Sequence, residues 1–280
     1  MKQFITFLTL MLLLSLYCEA RVRYVDKNGG AGRYTTIQAA IDAAIDGDTV
    51  RILPGIYNES INIGKNIVVQ GGGILCTTIF SDASDVPAVD LSAGKLMLTK
   101  IISMKSNGVN IKNSIISNCL INNCSGHGIA ATGQNAKSIN CISMNNTGDG
   151  YYDKSYYMSC INCIAIYNKG CGYGGYFSNN LDCYYCCGFG NNDRNFVDMR
   201  TNIGNTEENP GLDNEFRISK SSKCFDAGDP NILDLDGTRS DMGYYGGPDA
   251  PLLPCITFPQ HYILNDDGTI QFDMQGKVGY

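Results

Sequence analysis

The sequence has no tryptophan, few charged residues (17%) and no basic run anywhere in its 280 positions. A formal charge of −6 with a pI near 4.9 leaves none of the clustered lysine and arginine that phosphate backbones require, so nucleic acid is not an expected partner. The same balance disfavours tight binding of polyanionic sugars unless a cation bridges the two. Helical periodicity is scarce as well. The longest apolar run, Phe4 to Leu16, falls short of the ~20 residues that cross a bilayer. It follows Lys2 and precedes Cys18-Glu19-Ala20, the layout of a secretion signal over residues 1–20 that is removed from the mature chain. The expectation is a secreted or cell-surface protein with no membrane span after signal cleavage. A membrane anchor is the alternative. Lipidation at Cys18 is a third reading, which bulky Tyr17 fits poorly.

What remains is long enough and apolar enough (44%) for one sizeable core, and a single elongated domain acting as a monomer accounts for it. Thirteen cysteines in an exported chain point to a disulfide framework. One segment, Thr35 to Asp46, carries an apolar stripe (Ile37, Ala40, Ile41, Ala44, Ile45), with Thr35 and Gln38 spaced as a capping box and Gly47 as a stop. It predicts one short helix over 35–46, a plug on the open end of a β-structure. Short β-branched runs follow: Thr49 to Leu53, Ser60 to Ile63 and Ile67 to Gln70, split by Pro54-Gly55, Gly64-Lys65-Asn66 and Gly71-Gly72-Gly73. The triple glycine has no following lysine or helix, so it is not a phosphate loop.

From residue 118 the chain repeats itself. Asn118-Cys119-Leu120 recurs as Asn140-Cys141-Ile142 and as Asn162-Cys163-Ile164, each 22 residues on, and then as Tyr185-Cys186-Cys187 after 23. So short a period holds two or three strands and their turns, which makes strands one period apart parallel neighbours with like residues stacked. The predicted ladders are Leu120, Ile142, Ile164 and Cys187 on an inner parity shared with Asn122, Met144, Ile166 and Phe189; Ile129, Tyr151, Tyr173 and Phe196 as a second apolar stack; and Cys124, Asn146, Asn168 and Asn191, where asparagine can bond both the turn and its copy in the next coil.

These features resemble the pectin-lyase-like superfamily of right-handed parallel β-helices. Thr36 to Ala44 with Val50 to Tyr57 and Glu59 looks like the opening of pectinesterases and many bacterial β-helix proteins, and Asn-x-Ile-x-x-Asn with Gly-x-Gly looks like their coil repeat. Phe225 to Asn231 with Asp236 to Gly247 looks like the C-terminal cap segment of exported bacterial β-helix proteins. The implied fold class is all-β, with the solenoid over 21–217, an acidic cap over 218–250 and a hairpin tail over 251–280, where Asp267-Gly268 suits a tight turn. Such segments identify an architecture and not a reaction.

Gly126-His127-Gly128 resembles the Gly-His-Gly of polygalacturonases, but the accompanying Asp pair is absent and Asn146-Thr147-Gly148-Asp149 comes after the histidine instead of before it. Because Gly-x-Gly recurs at 126, 148 and 170, the plain reading is a turn repeated in each coil. Applying the coil offset to the turn centres stacks His127, Asp149, Cys171 and Arg194 along one edge. A histidine oriented by a carboxylate, with an arginine to meet a sugar carboxylate, would suit a polysaccharide lyase or a glycoside hydrolase. Tyr152, Tyr156, Tyr157 and Tyr167 are candidate sugar contacts. Asp229, Asp234, Asp236 and Asp241, with Asp226, offer hard oxygen ligands, and calcium is the expected cofactor if they bind a metal. Stacked Cys119, Cys141, Cys163 and Cys186 could pair as disulfides or pack as free thiols, and a line of sulfurs does not make a zinc site. The functional expectation is a β-helix that binds, and in its enzymatic form cleaves, extracellular polysaccharide. A non-catalytic surface adhesin or structural solenoid is the alternative.

Overall fold

Three-residue β-branched runs broken by asparagine or glycine cannot bury an apolar face within one coil, so each coil must stack on the next. The computed structural model describes residues 20–154, 157–176 and 181–251, with the backbone of two further strands, Tyr262–Leu264 and Ile270–Phe272. The signal segment with Cys18 and the candidate contact Tyr156 lie outside the described residues. The chain winds into a parallel β-helix of three sheets with ten, seven and six strands. The first sheet includes Ile115–Ser117, Lys137–Ile139, Ser159–Ile161 and Asp182–Tyr184; the second Leu120–Asn122, Ile142–Met144, Ile164–Ile166 and Cys187–Phe189; the third Ile129–Ala131, Tyr151–Asp153 and Tyr173–Gly175. Every pairing in these three sheets is parallel, and register follows the repeat: Leu120 pairs Ile142, Ile142 pairs Ile164, and Ile164 pairs Cys187. Gly55–Asn58, part of which reads as a turn in the sequence, is the first strand of the second sheet. The tail strands pair antiparallel, as the Asp-Gly hairpin requires.

The helix, α1 (Ile37–Ala43), buries Ile37, Ala40 and Ile41 against the first coil. Its N-cap is Thr36, whose hydroxyl accepts the Ala39 N–H, and not Thr35. No capping box forms. Glu59 from the coil beneath accepts the Ile37 and Gln38 N–H groups at 2.8 and 3.0 Å, and Lys65 donates to the carbonyls of Ile41, Asp42 and Ala44 at the other end. Coil side chains thus satisfy both helix ends.

From Met97 onward five successive coils turn from the first sheet to the second through a residue in the left-handed region: Leu98, Asn118, Asn140, Asn162 and Tyr185, with φ between 45° and 56°. Asparagine tolerates that backbone. The cysteine that follows in each of the four repeat coils points inward: Cys119, Cys141, Cys163 and Cys186 are fully buried free thiols, each hydrogen-bonded to the carbonyl two residues earlier at 3.2 to 3.4 Å. Among the described cysteines Cys76 is disulfide-bonded. Inside the third sheet Tyr151, Tyr173 and Phe196 stack at 4.8 Å with rings within 3° of parallel, as the offset predicts. Asn146 Nδ2 donates to Asn168 Oδ1, and Asn168 Nδ2 to Asn191 Oδ1, both at 2.9 Å, while each carbonyl oxygen also accepts the N–H one coil back.

The inner parity of the second sheet is the reverse of the expected one. Its interior positions are Ile101, Ile121 and Ala165, whereas Leu120, Ile142, Ile164, Ile166 and Cys187 face outward. They are nonetheless buried, because the 218–250 segment does not close the end of the solenoid but lies along its side, setting Cys224, Met242 and Tyr244 over this row. The corner asparagines form the rail on which this strap rests. Asn118 Nδ2 donates to the Tyr244 and Gly246 carbonyls, Asn140 Nδ2 to those of Asp241 and Gly243, and Asn162 Oδ1 accepts the Asp229 N–H at 2.6 Å. Alternation could not identify the inner side because both faces of the sheet are apolar.

Ile142→Ala should therefore cost about 2–4 kcal/mol as a buried residue, measured by urea unfolding; an uncovered outer face would give almost none. Asn140→Gly keeps the left-handed backbone and loses only the rail, so about 1–3 kcal/mol is expected. Asn140→Ala should lose about 1 kcal/mol more.

Candidate functional site

The Gly-x-Gly turns pack so closely that only glycine fits: a Cβ on Gly148 would lie 2.7 Å from His127 Nδ1, and one on Gly170 2.3 Å from Asp149 Oδ1. The residue between the glycines is thereby held over its copy in the next coil. Asn107 Oδ1 accepts the His127 N–H at 2.8 Å, His127 Nδ1 accepts the Asp149 N–H at 3.0 Å, and Asp149 Oδ1 accepts the Cys171 N–H at 2.7 Å. Arg194 extends the row, its carbonyl accepting the Gly172 N–H, and its exposed side chain lies close enough to act on the Cys171 thiol. The offset thus brings His127, Asp149, Cys171 and Arg194 into one line. Asn107, the first rung, escapes it because its coil is two residues shorter; the signal was Gly108-Val109 standing where Gly128-Ile129 stand 20 residues later.

This ladder fixes the chemistry of the histidine. With Nδ1 accepting a backbone N–H, the neutral ring carries its proton on Nε2, and its lone pair is already engaged. Burial lowers the His127 pKa, against the pull of the Asp149 carboxylate 3.7 Å away. Burial likewise raises Asp149 above its ordinary value, opposed by the Cys171 N–H and by His127 and assisted by nearby Asp193. A histidine made more basic by its carboxylate is therefore not what the turns build. They leave the Nε2–H outside the ladder, on a partly exposed ring beside a half-buried carboxyl whose Oδ2 is not part of the ladder. The Cys171 thiol is pushed up by burial and by Asp149, which suits no nucleophile.

The outer face of the third sheet lies beside this row. Asn62, Asp90, Asn110, Ala130, Tyr152 and Gly174 occupy one register line. Tyr152 stacks on His127 with ring centres 4.0 Å apart and planes 11° from parallel. Burial raises the Tyr152 phenol, with Asp149, Tyr176 and Asp153 adding to the effect. Gly174 matters here because a Cβ would stand 3.0 Å from Asp149 Oδ2. The other tyrosines are elsewhere. Tyr157 precedes a first-sheet strand and lies under the Arg200 guanidinium at 4.8 Å, and Tyr167 follows a second-sheet strand, edge-on to Phe189. Tyr152, Tyr157 and Tyr167 thus stand on three sides of the helix and form no common platform. Tyr176, exposed and near Tyr152, is a further candidate contact not singled out from the sequence.

Four of the strap's aspartates accept hydrogen bonds within the strap itself, whereas a buried oxygen of Asp226 has no hydrogen-bond partner among the described residues and Asp249 pairs with Lys95. Asp229 accepts from Asn231, Asp236 from Thr238, Asp234 from the Asp241 and Gly247 N–H groups, and Asp241 from the Asp226 N–H. Among the described residues no three carboxylate, imidazole or thiol groups gather to hold a metal. No helix among them is long and apolar enough to cross a membrane.

Solved structures with this architecture include a pectin methylesterase from carrot, 15% identical with a TM-score of 0.50 over 59% of this chain and 62% of that one. Others are a pectate lyase (16%, TM-score 0.43, 83% and 98% covered) and a pectin methylesterase from Aspergillus niger (13%, TM-score 0.49, 69% of each). The chain spans less than two thirds of the carrot enzyme's length. At these identities the likeness is one of fold, and at that level the resemblance to pectin-lyase-like β-helices holds. No protein-family model and no curated protein matches the sequence.

Burial pushes Asp241 up to about 6, its hydrogen bond from the Asp226 N–H opposing and Asp234, Asp226 and Asp236 adding. The folded chain thus holds this proton more tightly than the unfolded one, so stability should fall as pH rises from about 4 to about 6. Asp241→Asn keeps the acceptor and removes the charge. Its thermal midpoint should match wild type at pH 4 and exceed it above pH 6; a gap that did not vary with pH would contradict this.

Proposed function

We propose that the protein is a secreted β-helix that binds extracellular polysaccharide across the outer face of the third sheet, centred on Tyr152, His127 and Asp149. The observation that carries this reading is the face-to-face stack of His127 on Tyr152 beside a half-buried carboxyl. Sugar rings present an apolar C–H face and a hydroxyl rim. Stacked aromatic planes meet the first, while the Nε2–H donor and the Asp149 Oδ2 acceptor meet the second. Arg194, exposed further along the same row, would favour acidic sugars, and a solenoid supplies a long surface for an extended chain. The fold shared with pectin-acting enzymes is compatible with such a ligand.

Binding takes precedence over cleavage in this reading, since the His127 lone pair is engaged. The cleavage reading draws on the raised Asp149 carboxyl, which could donate a proton, with Asp193 as the neighbouring carboxylate.

The mature chain should be tested against acidic and neutral polysaccharides, with and without calcium. Tyr152→Ala should weaken binding about tenfold, and Arg194→Ala should do so for acidic polymers alone. Unchanged binding in Tyr152→Ala would reject the site. Reducing ends or unsaturated uronates that disappear in Asp149→Asn would establish cleavage; their absence with binding intact would leave an adhesin. Calcium belongs to this reading if binding to acidic polymers requires it.

A further inference from the structure

The strap-facing row of the second sheet runs Leu120, Ile142, Ile164 and then Cys187, so a thiol replaces an aliphatic chain in the last coil. The residue that meets it from the strap is also a cysteine. Cys187 and Cys224 are both fully buried, belong to one apolar cluster and are hydrogen-bonded to each other side chain to side chain. Cys187 also donates to the Glu208 carbonyl at 3.3 Å. The interior thiols Cys119 with Cys141 and Cys163 with Cys186 are likewise hydrogen-bonded side chain to side chain, but those pairs join successive coils of the solenoid and not the strap. At Cys187 the two thiols belong to the solenoid and to the strap, which among the described residues meet through hydrogen bonds and apolar packing.

The structure assigns Cys187 and Cys224 as a disulfide-forming pair that clasps the strap to the solenoid. The oxidant is a disulfide, small-molecule or protein. One thiolate attacks it and releases the first thiol; the second cysteine, losing its proton, displaces the other, so that two cysteine thiols and R–S–S–R give one protein disulfide and two R–SH. Exchange must occur while the strap is open, because both sulfurs are buried once it docks. Afterwards the bond is shielded from reductant. Cys76 is already disulfide-bonded, so the chain is one that takes oxidised cysteines.

The test is to refold the mature chain in mixed oxidised and reduced glutathione, quench in acid, alkylate and map peptides without reduction. A Cys187–Cys224 link is expected. Alkylated Cys187 and Cys224, or either one linked elsewhere, would overturn the proposal, and this measurement needs no variant. Cys224→Ser should display one more free thiol than wild type despite having one cysteine fewer. Its thermal midpoint should be lower on the order of 10 °C, and proteolysis within 224–250 about tenfold faster. Reduction should speed strap cleavage in wild type by more than in Cys224→Ser, in which only other disulfides remain to be opened; an equal effect in the two proteins would count against a clasp.

Discussion

Everything in this molecule depends on parallel strands stacking in register, so that a residue in one coil meets its copy in the next. That constraint turns a sequence repeat into columns with distinct chemistry. Leu120, Ile142 and Ile164 become an apolar row, Asn146, Asn168 and Asn191 a chain of amides, and Tyr151, Tyr173 and Phe196 a pile of rings. Amides suit their column because each side chain supplies an acceptor to the backbone behind it and a donor to the coil ahead, leaving little unsatisfied in a fully buried place.

The same rule governs the turns where the candidate site lies. Asn107, His127 and Asp149 each spend one acceptor on the next turn's N–H. In the proposed reading, structure and recognition share these side chains through different atoms. His127 holds the ladder through Nδ1 and Asp149 through Oδ1, and in that reading Nε2 and Oδ2 meet a ligand. An asparagine, an imidazole and an aspartate can hold equivalent rungs because the turn demands only an acceptor at the right reach.

The strap adds a second buried layer outside the second sheet. Its attachment combines the corner asparagines, whose left-handed backbone aims the amide outward, with an apolar row that would otherwise be exposed. Both devices are written in the repeat. Asn118, Asn140 and Asn162 form one polar column and Leu120, Ile142 and Ile164 a parallel apolar one, two residues apart.

The sequence alone determined the period, the stacking partners, the aromatic and asparagine columns, the helix and the row joining His127 to Arg194, because in-register stacking depends only on offset. It did not determine which side of the second sheet is interior. Residues 120 and 121 are both apolar, and the strap that decides between them lies more than 100 positions away. Nor could the offset tell that Tyr152, Tyr157 and Tyr167 stand on three faces, or which nitrogen of His127 is free. Those follow from where each coil bends and from hydrogen bonds between turns, and only the tertiary structure sets them.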